Sequence, residues 1–356
     1  MQKCALYAYF GEIGIFNDDI PGHSIYQLGL MDSISENYDV DTFDFYNYLD
    51  DTIDRTTMLR PIYPDGLLGN IFTAFSDRMI EDYRPDFDTV MSRINKKAYT
   101  KLFLKARFRN LATLAKKMSD AYRFETLIQY ALSSGYKPED IHVIDTDLSM
   151  AESFTKRLTE IGVRIVVPSI SIPAIGQRFL AACMQLHREV SQVGAPRNKD
   201  IFYYGNLDFD NYKTGHGKNS IVMDVIESAN HEFMFDQSIF KMVVSAKDTP
   251  KIGTWLSKLP RVEFIPRTNR CEIWQTFKGS LVSLNVSKDL YLDKEFIPAR
   301  VYESIIMGVI PVSYKSSFHP AMSFETPHQF FEICKFLTEC SAEDYYKILS
   351  KMAESV

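Results

Sequence analysis

FIPARVYESIIMGVIPVSYKSSF, residues Phe296 to Phe318, reads as a short helix feeding a buried strand. Arg300 and Glu303 lie three apart and so share one helical face. Ile305, Ile306 and Val309 give the helix apolar surface, and Gly308 ends it or packs it tightly. IPVS then supplies β-branched residues around Pro311 for the strand. A helix of this kind beside the carboxyl ends of a sheet offers its polar end to a nucleotide. A guanidinium answers phosphate, and a carboxylate answers the paired hydroxyls of a ribose. The competing reading is an ordinary surface ion pair, and spacing alone does not separate the two.

A chain of 356 residues makes two domains or one large one. Its 25 Phe and 20 Tyr against 2 Trp point to aromatic-rich packing and to stacking surfaces. The formal net charge of -6 argues against indiscriminate nucleic-acid binding but leaves room for a local basic groove. Cysteines 4, 183, 271, 334 and 340 form neither a metal pattern nor a disulfide framework. No apolar run approaches the length of a membrane span, and the opening residues read as a strand rather than a secretory signal. These features predict a cytoplasmic enzyme.

Working back to the start, KCALYAYFG gives a first strand, Cys4 to Phe10, with Gly11 and Gly14 in the turn beyond. Helical spacing follows over Ser24 to Ser35. Strand, glycine-bearing loop and helix open a doubly wound α/β domain, although the close glycine spacing of a dinucleotide fingerprint is absent. Asp18, Asp19 and His23 fall in the loop that would overhang the crevice, where polar residues also occur merely because they face water. DVDTFDFYNY predicts the second strand, and IFTAFSDRMIEDY a helix closing before Pro85.

The charge then changes sign. Between Arg93 and Arg123 stand ten basic residues against one acid, Asp120. Within that strip, Thr100 to Leu104 reads as a strand ending in a cationic loop. Lys101, Lys105, Arg107 and Arg109 are candidates for the phosphates of a polynucleotide backbone. A solvated face paired with the acidic segment 32–54 is the alternative. Helix Tyr122 to Ser133, strand Ile141 to Asp145, helix Ser149 to Ile161 and strand Arg164 to Ser169 are the clearest α/β signal in the chain. Asp145-Thr-Asp147 ends the first of those strands. It suits either a divalent ion or, better, a helix cap at Asp147 or Ser149.

Helix Ala174 to Val190 runs into SQVGAPRNKD, the expected boundary between residues 1–192 and 193–338. Ile201 to Gly205 then restarts the pattern. The loop after Gly205-Asn206 carries Lys213, His216 and Lys218 among glycines, ahead of a helix near Asn219 to Ser228. Glycines allow close backbone approach and a helix start turns amides toward an anion, so this is a candidate diphosphate cradle without Walker spacing. His216 has no companions for a zinc site, and no metal ligands are assigned. Strands are expected at Phe240 to Ser245, VEFIP and Ser280 to Ser287. The FETPHQF segment reads as a loop, and SAEDYYKILSKMAE, within 339–356, as a terminal helix packing back on the first domain.

YGNLDFDNYKTGHGKNSIVMDVIES, with DKEFIPARVYESIIMGVIPVSYKSSF after further strands, resembles the nucleotide-sugar domain of the bacteriophage DNA β-glucosyltransferases. The resemblance covers about residues 200 to 320; over the first 190 it rests on GHSIYQLGLMDSISENYDVDTFDF and the strand-plus-basic-loop arrangement. It implies a GT-B architecture, two Rossmann-like α/β domains facing across a cleft. It also implies transfer of glucose or arabinose from a UDP-sugar to 5-hydroxymethylcytosine in double-stranded DNA, inside an infected bacterium. By the same resemblance Arg300 matches the arginine that holds the donor diphosphate, and Glu303 the glutamate that takes the ribose hydroxyls. Lysines and a histidine replace arginines in the phosphate loop. The family's catalytic aspartate follows a strand before basic residues, yet FLKARFRN holds no carboxylate. Asp19, Asp18 and Asp147 are therefore the candidates for the base, in an inverting displacement assisted at most by magnesium without a dedicated protein site. A GT-B enzyme with a polysaccharide, lipid-linked or protein acceptor is the alternative, and a non-catalytic DNA-associated module a third.

Overall fold

The structure, a computed structural model, describes residues 4–10, 29–44, 87–106, 125–146, 148, 150, 152–192, 199–205, 218–229, 239–244, 254–255, 258–266, 277, 279–287, 289–316 and 318–356. The chain divides into two units, Met1–Phe179 and Leu180–Val356. Each is built on one parallel sheet, so the two doubly wound α/β units expected from the sequence are both present.

In the first unit, β1 (Cys4–Phe10), β2 (Asp39–Asp44), β3 (Lys101–Ala106), β4 (Ile141–Ile144) and β5 (Arg164–Val166) pair in the order β2-β1-β3-β4-β5. Described helices are α1 (29–35), α2 (Phe87–Asn95), α3 (125–133) and α4 (Glu152–Ile161), and the unit ends in the first turn of α5 (Gln177–Gln192), whose remaining residues belong to the second. Helix α2 follows Pro85 unannounced in the sequence reading; Val90 and Ile94, four apart and fully buried, are its core stripe. The helix expected at 71–83 lies outside the described residues. Alternation of side chains along a strand sends Leu6, Leu102, Leu104 and Val143 to one face, where they pack with Val90, Ile94, Leu127, Ile128, Phe154 and Leu158.

Helix α5 starts at Gln177, three residues later than its apolar spacing begins, because α1 holds its first turn. Asp32, 1% exposed, accepts from the Phe179 amide at 3.1 Å and pairs with Arg178 at 2.9 Å. Glu36 accepts from the Gln177 amide at 2.8 Å. A Cβ on Gly176 would sit 2.1 Å from the Asp32 carboxylate, so glycine is required for this approach.

In the second unit, β6 (Ile201–Gly205), β7 (Phe240–Val244), β8 (Val262–Pro266), β9 (Val282–Asn285), β10 (Ile310–Tyr314) and β11 (Ser323–Phe324) pair in the order β11-β10-β9-β6-β7-β8. Helices α6 (Lys218–Ser228), α7 (Asp289–Asp293), α8 (Ala299–Ile306), α9 (Pro327–Glu339) and α10 (Ala342–Ser355) complete the description. The opening stretch is α8 followed by β10. Gly308 stops α8 at φ +75°, with its own amide bonded to Ile305 and the next amide to Ser304. That is a Schellman arrangement, which needs a left-handed residue. Helix α9 corrects the loop expected around FETPHQF. Thr326 and Gln329 form a reciprocal capping box and Pro327 takes the first helical position. The terminal helix α10 buries Tyr345, whose hydroxyl donates to the Leu281 carbonyl at 2.5 Å and accepts from the Ile310 amide at 2.9 Å.

Candidate functional site

In the second sheet the chain leaves β6 toward β7 on one side and leaves β9 toward β10 on the other. Adjacent strands whose connections diverge open a crevice at their carboxyl ends, the usual ligand position in such sheets. Arg300 reaches that position from the first turn of α8. Its Nη1 donates to the Tyr204 carbonyl at 3.0 Å, and its guanidinium lies 5.9 Å from the Tyr204 ring centroid. A Cβ on Gly205 would come within 3.0 Å of Nη1 and 2.8 Å of the Tyr203 hydroxyl. The missing side chain thus lets the guanidinium cross the end of β6. Burial pushes the Tyr203 hydroxyl up, and the Arg300 charge works against that rise.

The first turn of α8 contains no acid, and its N-cap, Pro298, supplies no side-chain bond. Arg300 adds positive charge to the positive end of the helix dipole, an arrangement that favours an anion. One turn on, Glu303 is 4% exposed, and burial pushes its carboxyl up to about 8. At neutral pH it is mainly protonated, able both to donate and to accept. A chain of hydroxyls pins this helix to β9. Ser304 donates to the Arg300 carbonyl at 2.6 Å and meets Ser283 at 2.7 Å, while Asn285 donates to Ser283 at 2.9 Å. None of these three is singled out by sequence alone; for Ser283 and Asn285 the available signal is two polar residues inside the buried VSLN strand.

At the same edge of the sheet lies a cleft of about 680 Å³, bordered by Ser220 of α6, Asp289 and Asp293 of α7, Tyr314 at the end of β10 and Lys315 just after it. Lys218 opens α6. Asn206, Lys213 and His216, the rest of the expected cradle, lie outside the described residues.

The first unit answers its candidates differently. Asp18, Asp19, Asp147, Arg107 and Arg109 lie outside the described residues. Lys105 is 1% exposed, so its ammonium is not presented to a DNA backbone as expected. Helices cover both faces of a central parallel strand, and a lysine there turns inward. Lys101 sits at the amino end of β3, the opposite end from the crevice, and pairs with Asp140 at 2.6 Å. Asp145 has a capping role, accepting from the Met150 amide at 3.3 Å ahead of α4. Among the described residues no group of three or more His, Cys, Asp or Glu could hold a metal ion. No described helix is long and apolar enough to cross a membrane.

No family model matches the chain. No curated protein matches it. Among solved structures it is similar to T4 phage β-glucosyltransferase in complex with UDP-glucose, at 15% identity and TM-score 0.44, covering 99% of this chain and 97% of that one. It is similar to WaaG, a glycosyltransferase involved in lipopolysaccharide biosynthesis, at 11% identity and TM-score 0.39, covering 98% and 94%. A third is an O-GlcNAc transferase mutant of Thermobaculum terrenum, at 10% identity and TM-score 0.44. There the likeness covers 99% of this chain but only 64% of the other. Overlaps of this depth do not decide an activity, and the assignment rests on this chain's own residues.

Proposed function

We propose that the protein is a GT-B glycosyltransferase that takes glucose or arabinose from a UDP-sugar and transfers it to the hydroxymethyl group of 5-hydroxymethylcytosine in phage DNA. The observation that carries the donor half is Arg300 at the divergence point of the second sheet, with buried Glu303 one turn behind it. The guanidinium and the start of α8 meet the diphosphate, and Glu303 meets the ribose hydroxyls. As the bond to the anomeric carbon breaks, charge grows on the leaving diphosphate, where a fixed cation stabilises it more than it does the ground state. Lys213, His216 and Lys218, with Gly205-Asn206, are assigned to the same phosphates. A magnesium ion, if used, takes most of its ligands from the phosphates and water.

For the acceptor half, β1 and β3 meet at the divergence point of the first sheet, and the sequence that follows each of them carries Asp18 and Asp19, and Arg107 and Arg109. An extruded base projects its hydroxymethyl group there, one of Asp18, Asp19 and Asp147 takes the hydroxyl proton, and the oxygen attacks in line with inversion. Host cytoplasm is the corresponding location.

The test is transfer from UDP-glucose and UDP-arabinose to duplex DNA with and without 5-hydroxymethylcytosine, read by nucleoside mass. Gain confined to the modified DNA supports the reading, and its size names the sugar. No gain despite UDP binding overturns the acceptor assignment. A second reading, the same donor chemistry with a non-DNA acceptor, is favoured by one observation: Lys101 and Lys105, two of the four expected DNA contacts, are respectively paired and buried.

A further inference from the structure

Arg300 is tied to two strands that part before their carboxyl ends. Among the described residues, β6 and β9 pair only at Ile201↔Val282 and Phe202↔Ser283. On their outer sides both strands stay paired to the end, β6 with β7 through Gly205↔Val244 and β9 with β10 through Asn285↔Ser313. Tyr203, Tyr204 and Gly205 on one side and Leu284 and Asn285 on the other therefore border an open seam. The side chain of Arg300 holds the β6 border, where Nη1 donates to the Tyr204 carbonyl at 3.0 Å.

The main chain of Arg300 holds the β9 border through three buried polar side chains. Each serine hydroxyl has one proton to give. Ser304 gives its proton to the Arg300 carbonyl at 2.6 Å, so Ser283 is the donor across its 2.7 Å contact with Ser304. Ser283 in turn accepts from Asn285 at 2.9 Å. The bonds run one way, from Asn285 to Ser283 to Ser304 to the Arg300 carbonyl, and such an alignment strengthens each of them. Asn285 also donates to the Ser283 carbonyl at 3.3 Å, which ties the start of the chain to the backbone of β9. Ser283 is thus both the last rung that β9 shares with β6 and the point from which α8 is held. A helical serine needs no more than the carbonyl four residues back. Ser304 reaches further, to another element, and the carbonyl it meets is that of the cation at the seam.

Resting on the UDP-sugar reading above, we propose that Ser304 and Ser283 are positioning residues for the donor diphosphate. They fix the backbone of Arg300 over the seam, so that its guanidinium is in place before the nucleotide arrives. Neither hydroxyl has to touch the donor; both act through Arg300.

Titration calorimetry with UDP over a series of salt concentrations tests this on the intact chain, with Arg300→Ala, Ser304→Ala and the double variant. Ser304→Ala should weaken UDP binding about 10-fold, the worth of one good hydrogen bond. It should also flatten the salt dependence of that affinity toward the slope of Arg300→Ala, which lost packing alone would not do. The double variant should bind UDP no more weakly than Arg300→Ala, because the serine has nothing left to position. Alanine favours a helix more than serine does, and thermal unfolding checks that each variant is folded. Should Ser304→Ala fail to fold, Ser283→Ala takes its place in the same cycle. If the serine change leaves UDP affinity and its salt slope unaltered, or if the two losses multiply in the double variant, the inference is overturned while the donor reading stands. If the unmodified protein does not bind UDP, or Arg300→Ala binds it equally well, the donor reading fails and takes this inference with it.

Discussion

The carboxyl edges of the two sheets use charge in opposite ways. In the second unit a cation, Arg300, is carried to the strand ends on a helix and leaned against a tyrosine carbonyl, with an uncapped helix start around it. In the first unit the described charges turn to structural tasks. Lys105 is inside, Asp145 caps the approach to α4, and Asp32 closes α5. Among the described residues, the second edge carries a cation beside an uncapped helix start, while the first uses its charges to hold the fold. The same α/β plan therefore permits recognition only where the connection after a strand delivers a side chain that the sheet itself does not need.

The change that would break this comparison most sharply is Arg300→Ala. It should weaken UDP binding about 100-fold, the loss of two or so charge-assisted bonds, with the melting temperature nearly unchanged. An unaltered UDP affinity would leave the second edge as structural as the first. Gly205→Ala should displace the guanidinium rather than delete it, lowering UDP affinity about 10-fold by the same titration.

The two units should also respond to pH with opposite sign. Glu303 rises from its ordinary 4.5 to about 8 through burial, so the unfolded chain gives up this proton first. Its contribution to stability is full below pH 4.5 and is lost as pH rises to 8. His142, in the first unit, falls from 6.5 to about 4, chiefly through burial. Its contribution is present above pH 6.5 and is lost as pH falls toward 4. Urea midpoints between pH 4 and 9 should show Glu303→Gln flattening the alkaline decline and His142→Phe the acid one. Identical pH profiles for all three proteins would refute both assignments.

Smaller effects sharpen the picture. Thr326→Ala removes half of the α9 capping box and should cost about 1 kcal/mol in denaturant unfolding, without touching UDP affinity. Smallest of all, Lys101→Ala should leave the salt dependence of DNA binding unchanged, because its partner is Asp140. A shallower salt slope in that variant would restore Lys101 as a phosphate contact.

How much of this was legible in the sequence depends on how far apart the interacting residues lie. The α8-to-β10 unit was readable because its helix face, its stop at Gly308 and its strand are contiguous. Helix α9 was equally local, and its Thr-Pro-x-Gln start was there to be read as a capping box. The fate of Lys105 was not. KLFLKA alternates in a way that fits an exposed face, and only coverage by helices from distant sequence turns that face inward. The role of Gly205 was half legible: a glycine for close approach was expected, but the group that approaches is Arg300, from almost a hundred residues on.

The tie between Asp32 and the Phe179 amide spans 147 positions. A helix whose first turn is completed by so remote a carboxylate gains that stabilisation only after the intervening strands have brought α1 to it. Forming this contact therefore carries a loop-closure cost that local helix contacts avoid. The first unit should behave as a late-closing circuit: removing Asp32 should chiefly hasten its opening, leaving the earliest steps of its assembly at their usual pace.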